Sequence, residues 1–323
     1  MVYTMENLRV ALDWTPNSNH CGFYVAQAHG FYAAEGLSVT VVPPSQSYSK
    51  EETPARSVVE GRADLCVAPT ESVVSCWTSD RHDASTRPVC VAAILQHNTS
   101  AIVSLKSNEA VRTAADLAGK KYASYEGRFE MAIVNHLIKS AGGQGDSIEV
   151  LPPKLNCFEQ VVQGSCDATW VFMGWEGVQA KARGIELNVF GLEEHKVPYG
   201  YSPCLLASQR LVSEKQETLK KFLRATARGF ELAHADPKAA ADALFDMAAH
   251  DSLEALGRDF LLQAQQYLSD DGCLVDRQTG KWGTMDPKRW SDFVDFLNDN
   301  SLLGDFSGKV KAEELYNSSF LTE

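Results

Sequence analysis

Long apolar runs are missing from this 323-residue chain; none approaches the roughly 20 residues that a membrane-spanning helix needs. Positive charge is scarce too: 30 Lys and Arg stand against 42 Asp and Glu, a net charge of −12. With no basic block or stripe, nucleic acid and anionic membranes are excluded as main partners. The eight cysteines form no Cys-x-x-Cys pair, and no Cys/His spacing fits a zinc site. Several lie in apolar runs, such as Cys90 in Val89-Cys90-Val91-Ala92, and read as buried free thiols in a reducing compartment. Gly-x-Ser-x-Gly, His-Glu-x-x-His and phosphate-cradling glycine loops are absent. No catalytic residue, metal or cofactor is therefore assigned. Residues 1–7 are polar and lack the apolar core of a secretory signal. A cytoplasmic location is expected, and a periplasmic or other extracytoplasmic one if the chain is the mature form of an exported protein.

What is present is alternation. Strand patterns at 8–13, 38–42, 64–68, 89–95, 101–105, 120–124, 148–151, 167–172 and 187–190 are interleaved with helical ones near 20–32, 54–61, 70–78, 128–141, 156–164 and 174–183. Such alternation predicts βαβ units and mostly parallel sheets flanked by helices, an α/β fold. From 213 the pattern turns helical, at 213–234, 236–248, 252–268 and 286–299. Asp236-Pro237 and Asp286-Pro287 are helix starts, with an Asp N-cap and Pro in the first helical position. The frame Val-Val-x-Gly-x-x-Asp occurs twice, at 58–64 and 161–167, which suggests two similarly wound lobes. The expected division is 1–98 for lobe one, 99–201 for lobe two, and 202–323 for a return strand and helices of lobe one. A ligand is expected in the cleft between lobes.

The most telling stretch follows the first strand: Asp13-Trp14-Thr15-Pro16-Asn17-Ser18-Asn19-His20-Cys21-Gly22-Phe23-Tyr24. The carboxyl ends of strands are where open α/β sheets bind ligands. A loop there with acid, amide, imidazole and aromatic groups suits a small polar ring. Together with Gly30-Phe31-Tyr32, Gly36-Leu37, Gly61-Arg62-Ala63-Asp64, Asp116-Leu117-Ala118-Gly119, Gly174-Trp175-Glu176-Gly177, Gly283, Met285 and Trp290, it resembles the thiamine-pyrimidine branch of the type II periplasmic-binding-protein superfamily. That branch holds formylaminopyrimidine-binding proteins of ABC importers and the enzymes that make hydroxymethylpyrimidine phosphate.

The resemblance implies a two-lobed fold and a 4-aminopyrimidine ligand. It assigns Asp13, Trp14, Asn17, His20 and Tyr24 to ligand binding, and Glu176 as the carboxylate that pairs with an aminopyrimidine edge. Trp175 would stack on the ring. Glu71 holds the corresponding strand-end position in lobe one. Glu126 and Arg128 lie in the loop opening the helix at 128, where Arg128 suits an anionic substituent; Tyr201 sits at the second crossover. The partner is a small-molecule aminopyrimidine, with an ABC permease only if the protein is exported. The synthases carry a lysine for pyridoxal phosphate and, four residues on, a histidine. Aligned on Gly61 and Asp64, those places hold Ala68 and Ser72, and the synthases' cysteine-rich run is reduced to Cys204. A Schiff base needs an amine, so a binding protein is favoured over a divergent synthase. Mixing the protein with pyridoxal phosphate should give no internal aldimine absorption; such a band, abolished by changing one lysine, would reverse that preference.

Overall fold

The computed structural model describes residues 5–44, 53–79 and 83–321. Among these, ten strands form in chain order: β1 (Glu6–Ala11), β2 (Leu37–Val42), β3 (Leu65–Ala68), β4 (Val89–Ala93), β5 (Ser100–Leu105), β6 (Lys121–Ala123), β7 (Ile148–Val150), β8 (Ala168–Phe172), β9 (Leu187–Gly191) and β10 (Cys204–Ala207). All nine expected strands are present within two residues, and β10 is the return strand. The chain divides into two compact units: 1–98 with 201–291 and 309–323, and 99–200 with 292–308. The expected division placed 292–308 in the first lobe. Aromatic packing ties that segment to the second unit, with Phe293 edge-on to Tyr199 at 5.2 Å and Phe296 edge-on to His136 at 4.9 Å.

The two units repeat one topology. The first sheet runs β2-β1-β3-β10-β4 and the second β7-β6-β8-β5-β9. In each, four strands point one way and one runs against them, β10 in the first and β5 in the second. The sheets are thus mixed, and the reversed strand is the one on which the chain enters or re-enters the unit. The repeated Val-Val-x-Gly-x-x-Asp frame precedes β3 in the first unit and β8 in the second. Gly61 (φ 71°) and Gly164 (φ 77°) close the preceding helices in the left-handed region. Asp64 Oδ2 accepts the Arg9 N–H and Asp167 Oδ2 the Lys121 N–H, both at 2.9 Å. Each acid ties its strand to the parallel neighbour, β3 to β1 and β8 to β6.

Helices differ from expectation at their breaks. The run at 20–32 is Cys21–Ala28 and Phe31–Ala34, divided by Gly30 at φ 67°. The run at 213–234 divides at Lys215 into Gln209–Glu214 and Gln216–Ala235. The helix Asp251–Asp270 kinks at Gly257. Asp236 and Asp286 cap as expected, accepting from Ala239 N and Lys288 N at 2.9 Å.

Helix Cys21–Ala28 packs on helix Gln216–Ala235 through glycines. A Cβ on Gly229 would stand 2.1 Å from the Gly22 carbonyl oxygen, and one on Gly22 would stand 2.2 Å from the Phe230 ring. That closeness lets Phe23 meet Phe230 edge-on at 5.4 Å, with Phe230 stacked on Trp282 at 4.8 Å. The loop from Asp13 to His20 is thereby held against the first unit's core. Gly229→Ala should lower the unfolding free energy by about 1–3 kcal/mol, the cost of overpacking a tight core. Thermal denaturation checks this, and an unchanged midpoint would contradict the close approach.

Candidate functional site

In the first unit the chain leaves β1 through Asp13 and Trp14 and enters the helical turn Ser18–His20. Asn17 caps that turn: its Oδ1 accepts the Asn19 N–H at 2.9 Å and its amide donates to Thr15 O at 3.1 Å. His20 is fully buried. Its Nδ1 accepts the Asn17 N–H at 3.3 Å, so Nε2 carries the proton and donates to Asp13 Oδ1 at 2.9 Å. Asn17 and His20, expected to meet a ligand, therefore act on the loop itself. They orient Asp13, whose side chain keeps 21% exposure, beside half-buried Trp14. Tyr24 is buried one helical turn beyond His20.

Glu71, also buried, lies in the first turn of helix Thr70–Trp77. The start of that helix is tied to Tyr201: Thr70 Oγ1 accepts the Tyr201 N–H at 2.6 Å and donates to its carbonyl at 2.9 Å. The Tyr201 hydroxyl accepts the Asp286 N–H at 2.7 Å, and the Arg289 guanidinium lies over its ring at 4.5 Å.

In the second unit the expected helix at 174–183 begins as a π-helical turn, Met173–Gly177, before Val178–Ala182. Such turns leave a widened backbone and are frequent at functional sites. Trp175 and Glu176 are both buried. Glu176 Oε2 accepts the Phe172 N–H at 3.0 Å, and burial pushes its carboxyl up to about 7. Burial, then the nearby Cys157, Glu176 and Glu130, hold the Tyr125 phenol far above its ordinary range. Tyr125 thus stays a hydrogen-bond donor in the neighbourhood of Glu176.

The loop ahead of the next helix departs from expectation. The helix opens at Glu130, two residues later than the pattern suggested. Arg128 is exposed before it, with its guanidinium 5.0 Å from the Phe129 ring centre, and Glu126 adopts φ 61°. The group that shapes this loop is Glu130, a buried acid absent from the expected set. Its carboxylate accepts the Tyr125 N–H at 3.0 Å, the Gly127 N–H at 3.0 Å, the Tyr122 hydroxyl at 2.9 Å and the Ser124 hydroxyl at 3.2 Å. An internal carboxylate thus takes the Tyr125 and Gly127 amides ahead of the helix. An acid in the first helical turn, just after a glycine loop, was the available sequence signal.

A family model described as NMT1/THI5 like matches residues 17–240, well over half of the chain. The chain belongs to the NMT1/THI5-like family. It is 23% identical to the formylaminopyrimidine-binding protein of Halalkalibacterium halodurans, over 97% of this chain and 90% of that protein. It is 26% identical to the riboflavin-binding protein RibY of Chloroflexus aurantiacus, over 98% and 87%. Similarity also reaches the 4-amino-5-hydroxymethyl-2-methylpyrimidine phosphate synthase of Aspergillus parasiticus, 23% over 75% of this chain and 71% of the enzyme. Among solved structures, the periplasmic nitrate-binding protein NrtA of Synechocystis PCC 6803 matches with a TM-score of 0.72 at 12% identity, over 98% of this chain and 87% of that one. A Candida albicans protein described as having the generic periplasmic binding protein fold matches with a TM-score of 0.65 at 13% identity, over 93% and 92%. The fold is therefore that of periplasmic binding proteins. No described helix is long and apolar enough to cross a membrane.

The raised Glu176 carboxyl has a consequence for stability. An acid that holds its proton more tightly when folded stabilises the protein fully below its unfolded value, and that contribution is lost as pH rises through the folded value. Between pH 4.5 and 7, Glu176 should remove about 3 kcal/mol from the unliganded protein. Glu176→Gln should flatten this decline in denaturant titrations taken across that range; an equally steep decline in the variant would rule Glu176 out as its source.

Proposed function

We propose that this family member binds a thiamine-related 4-aminopyrimidine, of the formylaminopyrimidine or hydroxymethylpyrimidine type, without covalent chemistry, in thiamine biosynthesis or salvage. The observation carrying this reading is Glu176, a buried carboxyl raised to about 7 on a π-helical turn beside Trp175. An aminopyrimidine edge offers an amine donor next to a ring nitrogen. A carboxyl poised near neutrality accepts from the amine and shares one proton with the ring nitrogen, whichever partner carries it. Trp175 supplies a face for stacking, and the Tyr125 phenol a further donor. In the first unit, Asp13, Trp14, Tyr24, Glu71 and Tyr201 remain assigned to the ligand.

Glu130 refines the choice of pyrimidine. Because its carboxylate takes the amides of Tyr125 and Gly127, the reading favours a pyrimidine without phosphate. Glu126 and Arg128 then border the ligand and do not clamp an anion. The synthase alternative lacks support at Ala68, which has no amine and lies buried in β3. A flavin is the second reading, favoured by the 26% identical riboflavin-binding relative. An exported protein would deliver its ligand to an ABC permease.

Calorimetric titration with formylaminopyrimidine, hydroxymethylpyrimidine, hydroxymethylpyrimidine phosphate, thiamine and riboflavin tests these readings. The unphosphorylated aminopyrimidines should bind best. Heat from riboflavin alone, or from none of the five, would overturn the proposal. Glu176→Gln should weaken aminopyrimidine binding by roughly 1.5–3 kcal/mol, the scale of a hydrogen bond to a charged group. The wild-type affinity should fall above pH 7, where the shared proton must be taken from solvent, and the variant should be nearly flat.

A further inference from the structure

Within the first unit, His97, Asp271 and Cys273 converge although 174 residues separate His97 from Asp271. The convergence is built by backbone. Helix Asp251–Asp270 ends in a turn through Gly272 at φ 66°. The next residue is then tied down, with the Gln96 N–H donating to Cys273 O at 2.7 Å. That bond sets His97 beside the turn. His97 Nε2 lies 2.7 Å from Asp271 Oδ2 and 3.3 Å from Cys273 Sγ, and Sγ lies 3.1 Å from the same Oδ2.

This triangle is not a nucleophile relay. A relay needs the thiol on one imidazole nitrogen and the carboxylate on the other, whereas both partners here meet Nε2. One nitrogen, one sulfur and one oxygen pointing at a common centre are instead a set of metal donors. We propose that His97, Asp271 and Cys273 bind a borderline divalent cation of the zinc class, with one coordination position left for a small ligand. Zinc bonds of about 2.0–2.3 Å at tetrahedral angles hold donor atoms roughly 3.2–3.6 Å apart. The His97–Asp271 edge would have to open by about half an ångström and the other two by less. The donor mix suits zinc or cobalt and not the all-oxygen preference of magnesium. Support around the donors is present too. The Arg277 guanidinium donates to the Asp271 carbonyl and lies 4.0 Å from Asp271 Oδ1, leaving Oδ2 to the centre. Exposures of 35% at His97 and 44% at Asp271 leave a path for the ion. His97 also lines a cavity of about 550 Å³, bounded further by Gln96, Tyr201, Thr284 and Arg289.

The test is cobalt(II) titration of the full chain, followed by absorption. One equivalent should produce a near-ultraviolet thiolate-to-cobalt band that zinc displaces and magnesium leaves unchanged. Cys273→Ser should abolish the band. His97→Ala and the isosteric Asp271→Asn should each weaken cobalt binding at least about tenfold, while Cys166→Ser leaves the band intact. No band, or one that survives Cys273→Ser, overturns the proposal. Should Cys273→Ser fail to fold by circular dichroism, an unchanged cobalt affinity in Asp271→Asn overturns it equally, and a tenfold loss there supports it.

Discussion

A carboxylate at the entry to a central strand, accepting an amide of its parallel neighbour, is the contact on which each unit is organised. Asp64 does this for Arg9 and Asp167 for Lys121. A buried or half-buried strand cannot leave its end amides unpaired without a cost comparable to a lost hydrogen bond. An acid placed after a left-handed glycine meets that need with no extra chain. It also pins that strand's register on its neighbour, β3 on β1 and β8 on β6, and Glu71 and Glu176 follow the carboxyl ends of β3 and β8.

Two buried carboxyls lie in the second unit, and their hydrogen-bond partners differ. Glu130 is met by two backbone amides and two hydroxyls, which fix a loop that includes a left-handed Glu126. Glu176 accepts the Phe172 N–H and is pushed up to about 7 by burial. Burial raises both carboxyls above their ordinary range; what differs is the partners, two amides and two hydroxyls at Glu130 and the Phe172 amide at Glu176. In the first unit's loop, Asn17 caps the turn and His20 bridges Asn17 and Asp13.

Relatives within this family are named for binding and for synthesis. The eight cysteines are free and buried, and most of them behave as small apolar side chains. Cys273 differs because a histidine and a carboxylate share its immediate surroundings.

The sequence by itself determined the strands, the two-fold repetition of the winding, the helix starts at Asp236 and Asp286, and the family through the run from Asp13 to Tyr24. These are local properties: side-chain period, caps, and glycines that close helices. It could not say that Asn17 and His20 use their polar atoms within their own loop, because that depends on the turn's closed geometry. Nor could it show that Glu130 takes the Tyr125 and Gly127 amides, that Glu176 rides a π-helical turn, or that His97 meets Asp271 and Cys273. Spacing rules detect ligands close along the chain, and this triangle closes across 174 residues through a glycine turn and one backbone bond. Tertiary structure decided these matters because burial and the direction of each donor exist only once distant segments are packed together.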